Sequence, residues 1–413
     1  VDAESLAQFC KVVSRHYCYI FTLRFLFFAA MFTNSNSTKP QRFYILDLVR
    51  LVAMVMMMQG HTLDAMVSSQ FLNLAEFPWN IWHFLRGLTA PTFLIISGAV
   101  QVFATKRDEN GNIPAKIFQK RIEWGFILVA IGYLLVFPAN RIFDLPFVPP
   151  DGWRAFFQTN ILHVSGVTLI ATMVLMNATK NNREFAYWSL GIAAVILLFA
   201  PVADTMNWFA VLPEWLGAYF SFKHGSLFTL LPFSAYMFVG VGVGTLLAEI
   251  PASEREKHFP LYAFGFGVLA LVLGIAGTYL PLTVYAQHDY YLTSPHFAMI
   301  RIGCVLLAMG ALTYLYRYTR RFEEYYSRLG KKSLYIYTAH LILLFGTPWF
   351  GGIARGAAYR SLTLAEGAFV ALAVVGFTLV SAYILDYFQR NSKPIRKGIR
   401  FSLVAILLYA LLV

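Results

Sequence analysis

RFYILDLVRLVAMVMMMQGHTLDAMV, residues 42–67, is the stretch that decides the fold. It sets Asp47, Arg50, His61 and Asp64 inside an apolar run long enough to cross a bilayer. A helix advances about 100° and about 1.5 Å per residue. The four polar side chains therefore fall within roughly one third of the circumference and spread over about 25 Å. Ionisable groups are expensive in hydrocarbon, so a single polar stripe must face protein or water rather than lipid. The stripe marks a site.

The rest of the chain agrees with a membrane solvent. Of its 413 residues, 58% are hydrophobic, 17% aromatic and only 13% charged, with a mean hydropathy of +0.59. Soluble domains carry about twice that charged fraction. Short alternating segments of a β-barrel are not evident. The net charge of +12 does not point to nucleic acid, because the basic residues sit between apolar runs and on alternate loops. Cys10, Cys18 and Cys304 lack metal-ligand spacing, so neither a metal site nor a disulfide framework is expected.

The expected fold class is all-α, a polytopic membrane helix bundle of about ten or eleven transmembrane helices. Spans are expected at about 44–66, 82–104, 118–138, 157–177, 186–204, 226–248, 260–281, 297–316, 333–350, 366–388 and 400–413. Residues 1–40 read as an N-terminal extension ahead of a transmembrane domain at 41–413. The apolar segment 17–32 is short and interrupted by Arg24, as in an interfacial helix, and it lacks a signal-peptide cleavage site.

Basic residues concentrate in the loops at 105–121, 179–184, 251–258, 317–332 and 390–400. The alternate loops hold only Arg141, Arg154, Lys223, Arg355 and Arg360. By the positive-inside rule the first set is cytoplasmic. Asp47 and Arg50 then lie near the inner face, and His61 lies in the outer half. The short loops favour a multi-pass protein of a bacterial inner membrane.

The same topology brings other polar residues toward the level of His61. His83, Arg86, His163, His296 and Arg301 fall near the outer ends of their spans, and His340 in SLYIYTAHL lies nearer the midplane. Each has a structural alternative, because arginine snorkels and polar groups frequent span ends. His61 and Asp64 are i, i+3 neighbours on one face. A carboxylate beside an imidazole fixes its tautomer, as a general base requires; a hydrogen-bonded structural pair is the alternative. Asp47 and Arg50 share the same spacing and read as an ion pair locking the inner end of the helix, with ligand contact as the alternative. Gly240, Gly242 and Gly244 mimic a phosphate loop by spacing, but they sit inside a span with no preceding strand. Close helix packing is the better reading. The basic stretches 106–121, 317–333 and 389–400 are the natural places for a nucleotide phosphate to dock.

LDLVRLVAMVMMMQGH (46–61) resembles the first-helix signature of the transmembrane acyltransferase superfamily, through Asp47, Arg50 and His61. RGLTAPTFLIISGAVQVF (86–103) resembles its Phe-x-x-x-Ser-Gly stretch, through Phe93, Ser97 and Gly98. FTLLPFSAYMFVGVGVG, LTSPHFAMIRIG and LGKKSLYIYTAHL resemble later segments of its heparan-α-glucosaminide N-acetyltransferase-like branch. In the lysosomal enzyme that names the branch, the proposed catalytic histidine lies in the loop after the first core helix. Here that loop, 68–82, has no histidine, which leaves His61 by an acyltransferase-3-like pattern.

The resemblance implies transfer of an acyl group, acetyl above all, from cytoplasmic acyl-CoA to a sugar or glycolipid acceptor on the outer side. His61 would deprotonate the acceptor or carry the acyl group, with Asp64 orienting it. Asp47, Arg50, Arg86, Ser97, His163, Arg301 and His340 would contact substrate or acyl-CoA, and Arg86 or Arg301 would stabilise the oxyanion. Arg50 and His61 stand about 16 Å apart on helical rise, the reach of a pantetheine arm. The polar stripe alone also fits a proton-coupled transporter or flippase, or a non-catalytic membrane partner. A homo-oligomer is compatible with either.

Overall fold

The computed structural model describes residues 43–279, 285, 288–391 and 393–412. The extension at 1–40, with its expected interfacial segment, lies outside the described residues.

The larger of two compact units covers 41–138 and 148–382. Its main helices are α1 (Tyr44–Met66), α2 (Trp79–Gly87), α3 (Thr89–Ala104), α4 (Ala115–Leu135), α5 (Ile161–Ala178), α6 (Asn182–Thr205), α7 (Leu230–Glu249), α8 (Arg255–Tyr279), α9 (Pro295–Thr319), α10 (Glu323–Gly330) and α11 (Ser333–Phe345). The chain continues through α12 (Leu364–Asn391) into α13 (Lys393–Leu412). The smaller unit holds 139–147 and the chain from 383 onward. There Arg390 pairs with the buried Asp386 at 2.7 Å.

Among the described residues, eight helices are long and apolar enough to cross a membrane. The chain is a polytopic helical membrane protein. Helices α4, α11 and α13 cover most of the segments expected at 118–138, 333–350 and 400–413, but they fall outside this set. α4 carries Lys116, Lys120, Arg121 and Glu123 in its first half, α11 has only 13 residues, and α13 opens with Lys393, Arg396, Lys397 and Arg400. Large apolar side chains stand exposed along α8 and α12, among them Leu269, Leu273, Phe369 and Phe377. Water does not tolerate such faces over this length; lipid does.

The span expected at 82–104 is broken at Leu88 into α2 and α3. Pro91 is the cause. It lacks the N–H that would bond Gly87, and its ring crowds that carbonyl.

Helix starts follow side-chain chemistry. Asn181 accepts the Glu184 N–H at 2.8 Å to cap α6, and Ser294 caps α9 ahead of Pro295.

Small residues seat the helices on one another. Gly240 and Gly244 of α7 press on the Ile95 and Ala99 carbonyls of α3, and Gly98 of α3 presses on the Met237 carbonyl. Gly267 meets Gly303 between α8 and α9, and Gly125 meets Gly166 between α4 and α5. Gly240 and Gly244 of α7 thus form a packing seam with α3, whereas Gly242 faces the Leu190 side chain of α6. α1 lies against α3, α9, α10 and α11, so its polar stripe faces protein.

Candidate functional site

The stripe on α1 meets α11 at a pair of histidines. His340 is fully buried, and its Nδ1 lies 2.8 Å from the Ile336 carbonyl. A carbonyl only accepts, so Nδ1 carries the proton and Nε2 of a neutral His340 is an acceptor. His61 Nδ1 stands 3.2 Å from that Nε2 and must donate. The lone pair of a neutral His61 is therefore on Nε2. The two rings stack at 5.4 Å with 28° between their planes, and Phe345 packs edge-on against His61.

Asp64 does not serve His61 as the sequence suggested. Its carboxylate forms an ion pair with Arg86, and the imidazole takes His340 instead. The guanidinium offers a fork of charge-assisted donors, which outcompetes a neutral ring N–H for a carboxylate. Gly60 makes the approach feasible: a Cβ there would stand 2.6 Å from Arg86 Cδ and 2.7 Å from Cγ. The stem of Arg86 thus crosses α1 over a bare backbone. Arg86 also reaches His83 Nδ1 at 3.3 Å and lies over the Trp82 ring, whose Nε1 donates to Gln59 at 3.2 Å. Arg360 caps the end of α1, donating to the Asp64 carbonyl at 3.2 Å through its side chain and to Ala65 at 2.9 Å through its N–H.

The other end of the stripe is a docking point. Arg50 lies 3.9 Å from Asp47 and donates to the Gly330 carbonyl at 3.4 Å. A Cβ on Gly330 would stand 2.8 Å from Asp47 Oδ1. The pair thus seats the last turn of α10, with the cation at a helix C-terminus, where the dipole favours it.

The remaining predicted residues divide. Ser97 donates back to the Phe93 carbonyl at 2.7 Å within its own helix. His163 is buried and accepts the Asn160 N–H on Nδ1 at 3.0 Å, while Asn160 caps Leu162. This is a capping box with histidine in the usual Glu/Gln place, and it belongs to the start of α5 rather than to the His61 cluster. His296 packs its ring on Gly277. Arg301 lies over Phe297 at 4.5 Å, beside Tyr236. Phe297 in turn meets Phe84 of α2 edge-on at 6.1 Å.

Sequence reasoning missed Gly60, Trp82 and Tyr236. Gly60, immediately before His61, carried a signal: a glycine inside a helix marks close approach.

At the basic loops, Lys106, Asp108, Lys180 and Asn181 border a cleft of about 660 Å³. Arg107 braces its wall, donating to the Gly111 carbonyl and the Thr179 hydroxyl, each at 2.9 Å. Burial holds its guanidinium below the usual arginine pKa. No group of acidic, histidine or cysteine side chains suited to a metal ion occurs among the described residues.

No curated protein matches the chain. The family model described as heparan-alpha-glucosaminide N-acetyltransferase, catalytic, matches residues 42–274. The matched region includes His61, Asp64 and Arg86; Arg301 and His340 lie beyond it. With more than half of its length aligned to that model, the chain belongs to the heparan-alpha-glucosaminide N-acetyltransferase catalytic family.

Proposed function

We propose that this membrane acyltransferase moves an acetyl group from acetyl-CoA on the side of the basic loops to a sugar or glycolipid hydroxyl or amine on the opposite side. One observation carries the reading: the His61–His340 hydrogen bond at 3.2 Å leaves His61 Nε2 as an unprotonated base. In the transfer, Nε2 accepts the proton of the acceptor as its oxygen or nitrogen bonds the acyl carbon. The carbon–sulfur bond breaks, and the proton passes on to the departing thiolate. Arg86, held by Asp64, directs positive charge toward the reacting centre, where an oxyanion develops.

Asp47, Arg50 and His61 support an acyltransferase-3-like first helix, with the acidic and basic pair serving structure rather than substrate. The cleft near Lys106 and Lys180 is one place for the nucleotide of the donor, and the short loops favour a bacterial inner membrane. Membership of the family favours an enzyme over the transporter or flippase that the polar stripe alone also allows. The test is transfer of radiolabelled acetyl from acetyl-CoA by purified protein in nanodiscs. His61→Ala should lower the rate by about 10²–10⁴-fold, the usual contribution of a general base. Full activity in that variant would remove His61 from the reaction.

A further inference from the structure

Residues 317–332 turn the corner at the end of a span and carry six basic residues against two acidic ones. α9 ends at Thr319, the tight turn Arg320–Phe322 follows, and α10 starts at Glu323. The inner side of this corner is fastened to the bundle. The Tyr316 hydroxyl donates to Glu323 at 2.7 Å, and the Tyr326 hydroxyl donates to the Thr319 carbonyl at 3.1 Å. Tyr326, Leu329 and Gly330 are buried, and the last turn of α10 seats on Asp47 and Arg50 of α1.

The outward side is different. Arg320 and Arg328 find carboxylates, those of Glu256 and Glu324, each at 2.5 Å. Arg317 and Arg321 have no carboxylate partner among the described residues. Arg317 lies over the Tyr314 ring at 5.1 Å, and Arg321 lies over the Phe322 ring at 4.7 Å. An aromatic face attracts a cation, but it offers no acceptor in the plane of the five N–H donors. Between the two arginines Tyr318 is 83% exposed, and Phe322 beside them is 40% exposed.

The positive-inside rule needs only charge, placed anywhere in a loop. Here the two cations alternate with exposed rings where an apolar span ends. Aromatic side chains collect at the level of lipid headgroups, and a guanidinium holds a phosphate through two parallel N–H donors. A soluble phosphate would satisfy the cations but leave Tyr318 and Phe322 in water. We propose that Arg317 and Arg321, with Tyr318 and Phe322 at headgroup level beside them, bind the phosphate of an anionic phospholipid in the leaflet on the side of the basic loops. The lipid then holds this corner from outside while Asp47 and Arg50 hold α10 from inside, so the leaflet steadies the base of the helix that carries His61. The site depends on the span and its corner, not on the acyltransferase reading.

The experiment measures amide exchange over residues 317–331 by mass spectrometry. It uses the full chain in nanodiscs of phosphatidylcholine, either alone or with a third of the lipid replaced by phosphatidylglycerol. A basic residue beside an anionic surface contributes about fivefold in affinity, and the anionic lipid should slow exchange by about that factor or more. Arg317→Gln combined with Arg321→Gln should remove the slowing. Arg317→Lys combined with Arg321→Lys should keep part of it, because the charge survives without the fork. Lys116→Gln combined with Lys120→Gln takes the same charge from another basic loop and should leave the slowing intact. Exchange that is indifferent to phosphatidylglycerol, or an equal loss in the Lys116/Lys120 and Arg317/Arg321 glutamine variants, overturns the proposal. Slowing by inorganic phosphate or coenzyme A in pure phosphatidylcholine, to the same extent as by phosphatidylglycerol, makes the ligand a soluble phosphate and overturns the assignment to lipid.

Discussion

Gly240→Ala and Gly242→Ala differ by two positions on one helix and should have very different costs. A Cβ on Gly240 lands against the backbone of Ile95, 2.7 Å from its carbonyl carbon and 2.8 Å from its Cα, and closer still to its oxygen. Every atom in the way is main chain of α3, so no rotamer change relieves the overlap. The helices must part. Overpacking of this kind costs about 3 kcal/mol, at the upper end of its usual range, and alanine's better helix propensity returns about 1 kcal/mol. The net loss is about 2 kcal/mol, roughly thirtyfold in the folding equilibrium. A Cβ on Gly242 meets only the end of the Leu190 side chain, 3.1 Å away. That atom can move, and the change should stay within about 0.5 kcal/mol. Unfolding in mixed micelles, followed by circular dichroism, measures both. A neutral Gly240→Ala, or a Gly242→Ala that is the more damaging, would refute the reasoning.

The histidine pair makes a spectroscopic prediction: in ¹⁵N-histidine spectra of the protein near neutral pH, both His61 and His340 should carry their proton on Nδ1. A proton on His61 Nε2 instead would contradict the hydrogen-bond chain. His340→Ala should lower acetyl transfer by about 10²-fold through loss of tautomer control, with His340→Gln recovering part of it, since an amide oxygen can accept from His61 Nδ1. For the Asp64–Arg86 pair, a double-mutant cycle with Asp64→Asn and Arg86→Met should return a coupling of about 1–3 kcal/mol; additive losses would mean that the pair does not act as a unit. His163→Ala should cost about 1 kcal/mol of stability by removing a cap, and His163→Gln should restore it. Transfer per folded molecule should be unchanged in both, and a stable His163→Gln without activity would give this histidine a substrate role after all.

The solvent and the secondary structure were legible in the chain itself. Hydrocarbon imposes a length, an apolar composition and a penalty on every charge, and each leaves a local trace that needs no fold to be read. The stripe from Asp47 to Asp64 pointed inward for that reason, and Gly240 and Gly244 of α7 announced a seam. The break at Leu88 was also written there, in Pro91, although hydropathy alone ran through it.

Partner choice was not legible. His61 and Asp64 share a helical face, so spacing made them a pair, yet His61 bonds His340 across 279 positions of sequence. Asp64 turns to Arg86, which reaches it only because Gly60 bares the backbone between them. His163 had the same intramembrane signature as a catalytic imidazole and sits in the capping box that opens α5. Spacing along one helix specifies which side chains face the same way, whereas their partners depend on which other helices arrive there. Only packing the whole bundle settles that competition among donors and acceptors.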